Sequence, residues 1–92
     1  MNETKIKAHH EMEERYARLV LEYFSNEQRK EICDAVAESI ELLDIAPSLI
    51  VTPKKNQCGE YSIEFHDDYD QESHSFFESL IKELNINPKE VD

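Results

Sequence analysis

The sequence predicts a small α+β domain in the order helix, helix, strand, strand, helix (ααββα). This is a helical hairpin, then a two-stranded antiparallel β-hairpin, then a C-terminal helix. Three observations lead there. Apolar residues recur at three- and four-residue steps early in the chain and again near its end. Around Ser48–Phe65 the period changes to two. Turn and breaker residues fall at the junctions, at Ser25, Pro47, Pro53 and Gly59.

The first helix is expected from about Glu3 to Phe24, where Met12, Tyr16, Leu19, Val20 and Tyr23 make one apolar stripe. Glu11–Arg15 and Glu14–Arg18 are acid-before-base pairs at i,i+4 on its outer face, each worth ~0.2–0.5 kcal/mol. Ser25 reads as the N-cap of a second helix, since Ser25–Asn26–Glu27–Gln28 fits a capping box. That helix runs from about Asn26 to Leu43, with Ile32, Val36, Ile40 and Leu43 as its buried seam and Cys33 and Ala35 beside it. It ends ahead of Pro47, because the residue before a proline avoids helical geometry. The connection between the two helices is very short, so they are expected to lie antiparallel.

Ser48–Thr52 is a β-branched run closed by Pro53, and Tyr61, Ile63 and Phe65 alternate with Ser62, Glu64 and His66. These are two strands joined through Lys54–Gly59. The bracketing prolines place the first of them at a sheet edge. Gly59, the one glycine of the chain, is assigned a positive φ in the turn. Asp68 or Asp70 caps a third helix, roughly Gln71 to Leu84, whose buried side is Phe76, Phe77, Leu80, Ile81 and Leu84. Residues 1–92 thus form one domain, with 87–92 as a frayed tail.

The composition narrows the function. Twenty-one acidic residues against ten basic give a net charge of −11. Residues 1–24 are nearly neutral, whereas no Lys or Arg occurs from Asn56 to Ile81. Such a field repels nucleic acid and anionic membrane and steers toward basic surfaces. No apolar run is long enough to span a bilayer. Cys33 and Cys58 form no CxxC or zinc spacing, and without a secretory leader the expectation is reduced thiols in the cytoplasm.

Catalytic signatures are missing: there is no glycine-rich phosphate loop and no nucleophile elbow. His66, Asp67, Asp68 and Asp70 are close in sequence, and His74–Glu78 is an i,i+4 pair, but a strand histidine and a helix histidine need not converge on an ion. Asp67–Asp70 lacks the glycine and terminal glutamate of an EF-hand loop. The sequence therefore assigns no catalytic residue, no metal and no cofactor.

The sharpest pattern lies on the second helix. Glu27, Glu31, Asp34, Glu38 and Glu41 are spaced 4, 3, 4 and 3 residues apart, which gathers them in one sector away from the apolar seam. Over ~21 Å of helix this puts a carboxylate about every 5 Å, against about 3.4 Å between phosphates along one strand of B-DNA. An acidic helix face is most often a solvated one. A second cluster at Asp67, Asp68, Asp70 and Glu72 exceeds what capping the third helix requires, and it tips the reading toward a binding surface.

In size and charge the chain resembles the small acidic inhibitors made by phages and mobile elements, among them DNA mimics, anti-CRISPR proteins and nuclease immunity proteins. That resemblance implies an inhibitor or modulator that docks these acidic residues on a partner's basic, nucleic-acid-binding surface without itself binding nucleic acid or membrane. The alternative is an adaptor, monomeric or homodimeric, that joins a complex through apolar helix faces and the edge of Leu49–Val51.

Overall fold

A computed structural model describes residues 5–66 and 72–91 of the chain. Its elements are β1 (Lys7–Glu13), β2 (Tyr16–Tyr23), α1 (Asn26–Leu43), β3 (Ser48–Pro53), β4 (Gly59–His66) and α2 (Glu72–Glu83), followed by a 3-10 turn at Pro88–Glu90. The four strands form one antiparallel sheet in the order β1-β2-β4-β3. The architecture is thus ββαββα, two hairpin-and-helix units that share a sheet. The expected ααββα order with a two-stranded hairpin is corrected: the segment read as a first helix is a β-hairpin.

The reason lies in Tyr16–Tyr23, whose apolar residues satisfy two periods at once. Ala17, Leu19, Leu21 and Tyr23 alternate, and all four are buried against the helices. Val20 is also buried, though it belongs to the opposite face, and with Met12, Tyr16, Leu19 and Tyr23 it completes the three- and four-residue steps of a helical stripe. Tertiary context decides, because Tyr61, Ile63 and Phe65 of β4 need a partner strand, and a lone two-stranded hairpin is marginal in water. β2 pairs with β4 along eight residues, from Tyr16↔His66 to Tyr23↔Gly59. Glu11 and Arg18, each expected in a different i,i+4 helical pair, instead face each other across β1 and β2 at 3.8 Å. Glu14–Arg15 make the two-residue turn, with Arg15 at φ 66.

Both helices lie on one face of the sheet. Ile32, Ala35 and Val36 of α1 and Phe76, Phe77 and Leu80 of α2 close over the inward residues of β1, β2 and β4. Phe65 meets Phe76 and Phe77 edge-on at centroid distances of 5.5 Å. Between the helices the Ser39 and Ser79 hydroxyls bond at 3.1 Å, so the buried serine of α1 keeps a partner. Helix α1 has the expected bounds. The Ser25 Oγ accepts from the Gln28 N–H at 3.1 Å, and Gln28 Oε1 accepts from the Phe24 N–H at 2.7 Å, one residue earlier than in the standard box. Asp44 ends the helix in the left-handed region, at φ 54.

Gly59 has no positive φ; the left-handed turn residues are Asn56 and Gln57, at φ 59 and 64. Glycine is required there for space. A Cβ at position 59 would collide with the hydroxyl end of the buried Tyr23 ring and stand 2.8 Å from the Thr52 carbonyl oxygen. Gly59→Ala is therefore expected to cost about 1–3 kcal/mol as overpacking. Adding Tyr23→Phe recovers part of that loss, because it removes the nearest atom; urea unfolding of the single and double variants checks both statements.

His10 points from β1 toward the helices and meets the Phe77 ring edge-on at 5.3 Å. Its Nε2 is buried without a hydrogen-bond partner among the described residues. Burial first, then the charges of His74 and His9, holds its pKa below the ordinary 6.5. The unfolded chain then binds the proton more readily, so this contribution to stability is complete above about pH 6.5 and falls as pH drops through that value. Replacing His10 with Leu flattens the fall, as read from urea midpoints between about pH 7.5 and 5.

Candidate protein-binding surfaces

Two surfaces stand out, and the elements that build them differ in kind. The first is an exposed flank of α1. Its inner face is fixed by Gln28, Ile32, Ala35, Val36 and Ser39, all buried. At 100° per residue Glu27, Glu31, Asp34, Glu38 and Glu41 gather on one flank, about 120° from the centre of that buried face and on the side of α2, and all five are exposed. Among the described residues none of the five takes part in an ion pair; the pairs there include Arg18–Glu11 and Lys54–Glu60, and His9–Glu11 and His74–Glu78 when the histidine is protonated. Lys30, one turn before Asp34, does not neutralise it.

Helix α2 extends this surface. A groove of about 510 Å³ between the helices is lined by Glu38, Ser39, Glu41 and Leu42 of α1 with Ser79 and Glu83 of α2. Leu42 is 77% exposed at its rim. Sequence periodicity places neither Glu83 nor Leu42 in this patch, because it depends on which flank of α2 meets α1. Glu72 lies in the first turn of α2, where its charge complements the helix dipole. Asp67, Asp68 and Asp70, the rest of the expected second patch, fall outside the described residues.

The second surface is β3. Every residue of Ser48–Pro53 is exposed. Leu49 and Val51 stand opposite the buried Ile63 and Tyr61 of β4, so their side chains share the helix-covered face. The helices do not reach them, and they stay 40% and 44% exposed; Ile50, on the other face, is 49% exposed. The expected edge position is what the sheet order gives, with no strand beyond β3 among the described residues.

The open face of the sheet carries a polar cluster. Tyr16 donates to Glu64 Oε2 at 2.6 Å and lies against the His66 ring at 5.3 Å, with Arg18 and Glu11 alongside. The hydrogen bond to the Glu64 carboxylate, more than any other cause, raises the Tyr16 pKa above 10. A phenol held protonated on an open sheet face is a poor base or nucleophile at neutral pH, and its bond ties β2 to β4. Metal ligation finds no geometry among the described residues, where no group of three His, Cys, Asp or Glu side chains converges. His74 instead faces Glu78 at 3.4 Å. Cys33 and Cys58 are free thiols. No described helix is long and apolar enough to cross a membrane.

Compared with protein-family models, curated proteins and solved structures, the chain matches none of them.

Proposed function

We propose that this chain is a non-catalytic inhibitor or modulator that lays the acidic face of α1 against a basic, nucleic-acid-binding surface of a partner protein. The observation that supports this reading is the row of five exposed carboxylates on α1 without an ion pair among the described residues. Elsewhere acids are set beside bases, as in Arg18–Glu11 and Lys54–Glu60. On α1 the same economy is absent, and each like-charge neighbour at i,i+3 or i,i+4 destabilises the helix by ~0.2–0.5 kcal/mol. A helix that retains such a row gives up stability that a few lysines would restore.

The mechanism is occlusion. Carboxylates about 5 Å apart along the helix axis occupy positions prepared for phosphates and displace the same counterions. Leu42, projecting beside Glu38 and Glu41, adds an apolar contact at the rim of the charged surface. The partner is thus a protein with a basic groove, and nucleic acid is its competitor.

The triple variant Glu31→Lys, Asp34→Lys, Glu38→Lys separates binding from folding. Wild type is expected to capture a basic partner and to release that partner's nucleic acid, with affinity falling at least about tenfold between 50 and 500 mM salt. The variant is expected to do neither, while melting at the same temperature or a few degrees higher at low salt. A partner held equally by both proteins, or binding indifferent to salt, rules out the electrostatic mechanism.

A further inference from the structure

We infer that β3 is a homodimerisation edge: two copies pair antiparallel about a two-fold axis at Ile50, joining their sheets into one of eight strands. This inference is independent of the acidic face of α1.

The backbone of β3 is arranged for it. The Lys54 N–H donates to the Cys58 carbonyl at 2.8 Å, which makes Lys54 and Cys58 a hydrogen-bonded antiparallel pair. Alternation then turns the N–H and C=O groups of Ser48, Ile50 and Thr52 toward β4 and those of Leu49, Val51 and Pro53 outward. Pro47 continues the outward set. The free edge therefore presents two N–H donors, on Leu49 and Val51, between two prolines that have none. Pairing about Ile50 sets Leu49 against Val51 of the second copy and Val51 against its Leu49. All four donors then meet carbonyls. At each end Pro47 faces Pro53 of the second copy, so no donor is left without an acceptor.

Charge selects the same partner. Two chains of net charge −11 repel each other, and β1, β2 and β4 all carry acidic side chains. Only β3 has no charged residue, and its flanks differ in sign: Asp44 lies before it and Lys54–Lys55 after it. The antiparallel two-fold brings Lys54 and Lys55 of each copy beside the Asp44–Pro47 approach of the other. Lys54 already meets Glu60 at 3.6 Å, which leaves Lys55 as the cation turned to the second copy. Ile50 meets Ile50 of the second copy at a non-hydrogen-bonded position, where side chains come closest.

A single strand pair buries less than the ~1,200 Å² of small transient complexes, so the dimer forms in the micromolar range or weaker. Sedimentation equilibrium of wild type across this range, up to about 1 mM, is expected to show mass rising from 10.8 kDa toward twice that value. Salt strengthens the association, because it screens the repulsion between the two acidic chains; binding of a basic partner by α1 has the opposite salt dependence. Ile50→Lys weakens dimerisation at least tenfold with an unchanged far-UV spectrum. In a Cys33→Ser, Cys58→Ser background, Ile50→Cys is expected to form a disulfide-linked dimer on mild oxidation faster than Thr52→Cys, since only position 50 meets itself. A wild-type chain monomeric throughout, a dimer indifferent to Ile50→Lys, or faster cross-linking through position 52 each overturns the proposal.

Discussion

The pairing of β2 with β4 is the interaction on which the remaining structure depends. It joins the two hairpins, and it sets Ala17, Leu19, Leu21 and Tyr23 beside Phe65, Ile63, Tyr61 and Gly59 on one surface. Without it each hairpin would be an isolated pair of strands with one greasy side, a form that does not persist in water. With it there is a continuous apolar floor, and both helices have the same place to go. The solvent side of this pairing is held as well, by the Tyr16–Glu64 hydrogen bond.

Charge is distributed around that core by element. The open sheet face intersperses acids with Lys7, Arg18, His9 and His66, α1 presents acids in a row, and β3 presents none. A domain this small has little surface to divide, so three surfaces of contrasting character within 92 residues are economical. The two contacts proposed for α1 and β3 would answer to salt in opposite directions. Screening would weaken attraction between α1 and a basic surface and relieve repulsion between two copies brought together at β3.

Much of this was legible in the residues, and the failures have physical causes. α1 could be bounded because one period, one N-cap and one proline agree on it. α2 and the β3–β4 hairpin followed from similarly single signals, and the exposed carboxylates of α1 followed from its period. The N-terminal hairpin was illegible because burial of Val20 beside Leu19 lets Tyr16, Leu19, Val20 and Tyr23 fit a helical period as well as Ala17, Leu19, Leu21 and Tyr23 fit a strand. Its turn, Glu14–Arg15, also lacks the glycine or asparagine that usually announces a two-residue loop. Glu83 beside Glu38, and the bareness of Leu49 and Val51, are facts about which surfaces meet. No local pattern contains them. Gly59 opens β4 instead of sitting in the turn, and its reason is space instead of φ; crowding leaves no mark on sequence unless the neighbour is known.

That crowding has a bearing on ancestry. Tyr23 lies at the end of β2 and Gly59 at the start of β4, 36 positions along the chain yet paired across the sheet. A side chain at 59 needs a shorter one at 23 and, in addition, a shift of the Thr52 carbonyl. A pair of columns at 23 and 59 that change size together is therefore where common descent with this fold would be sought.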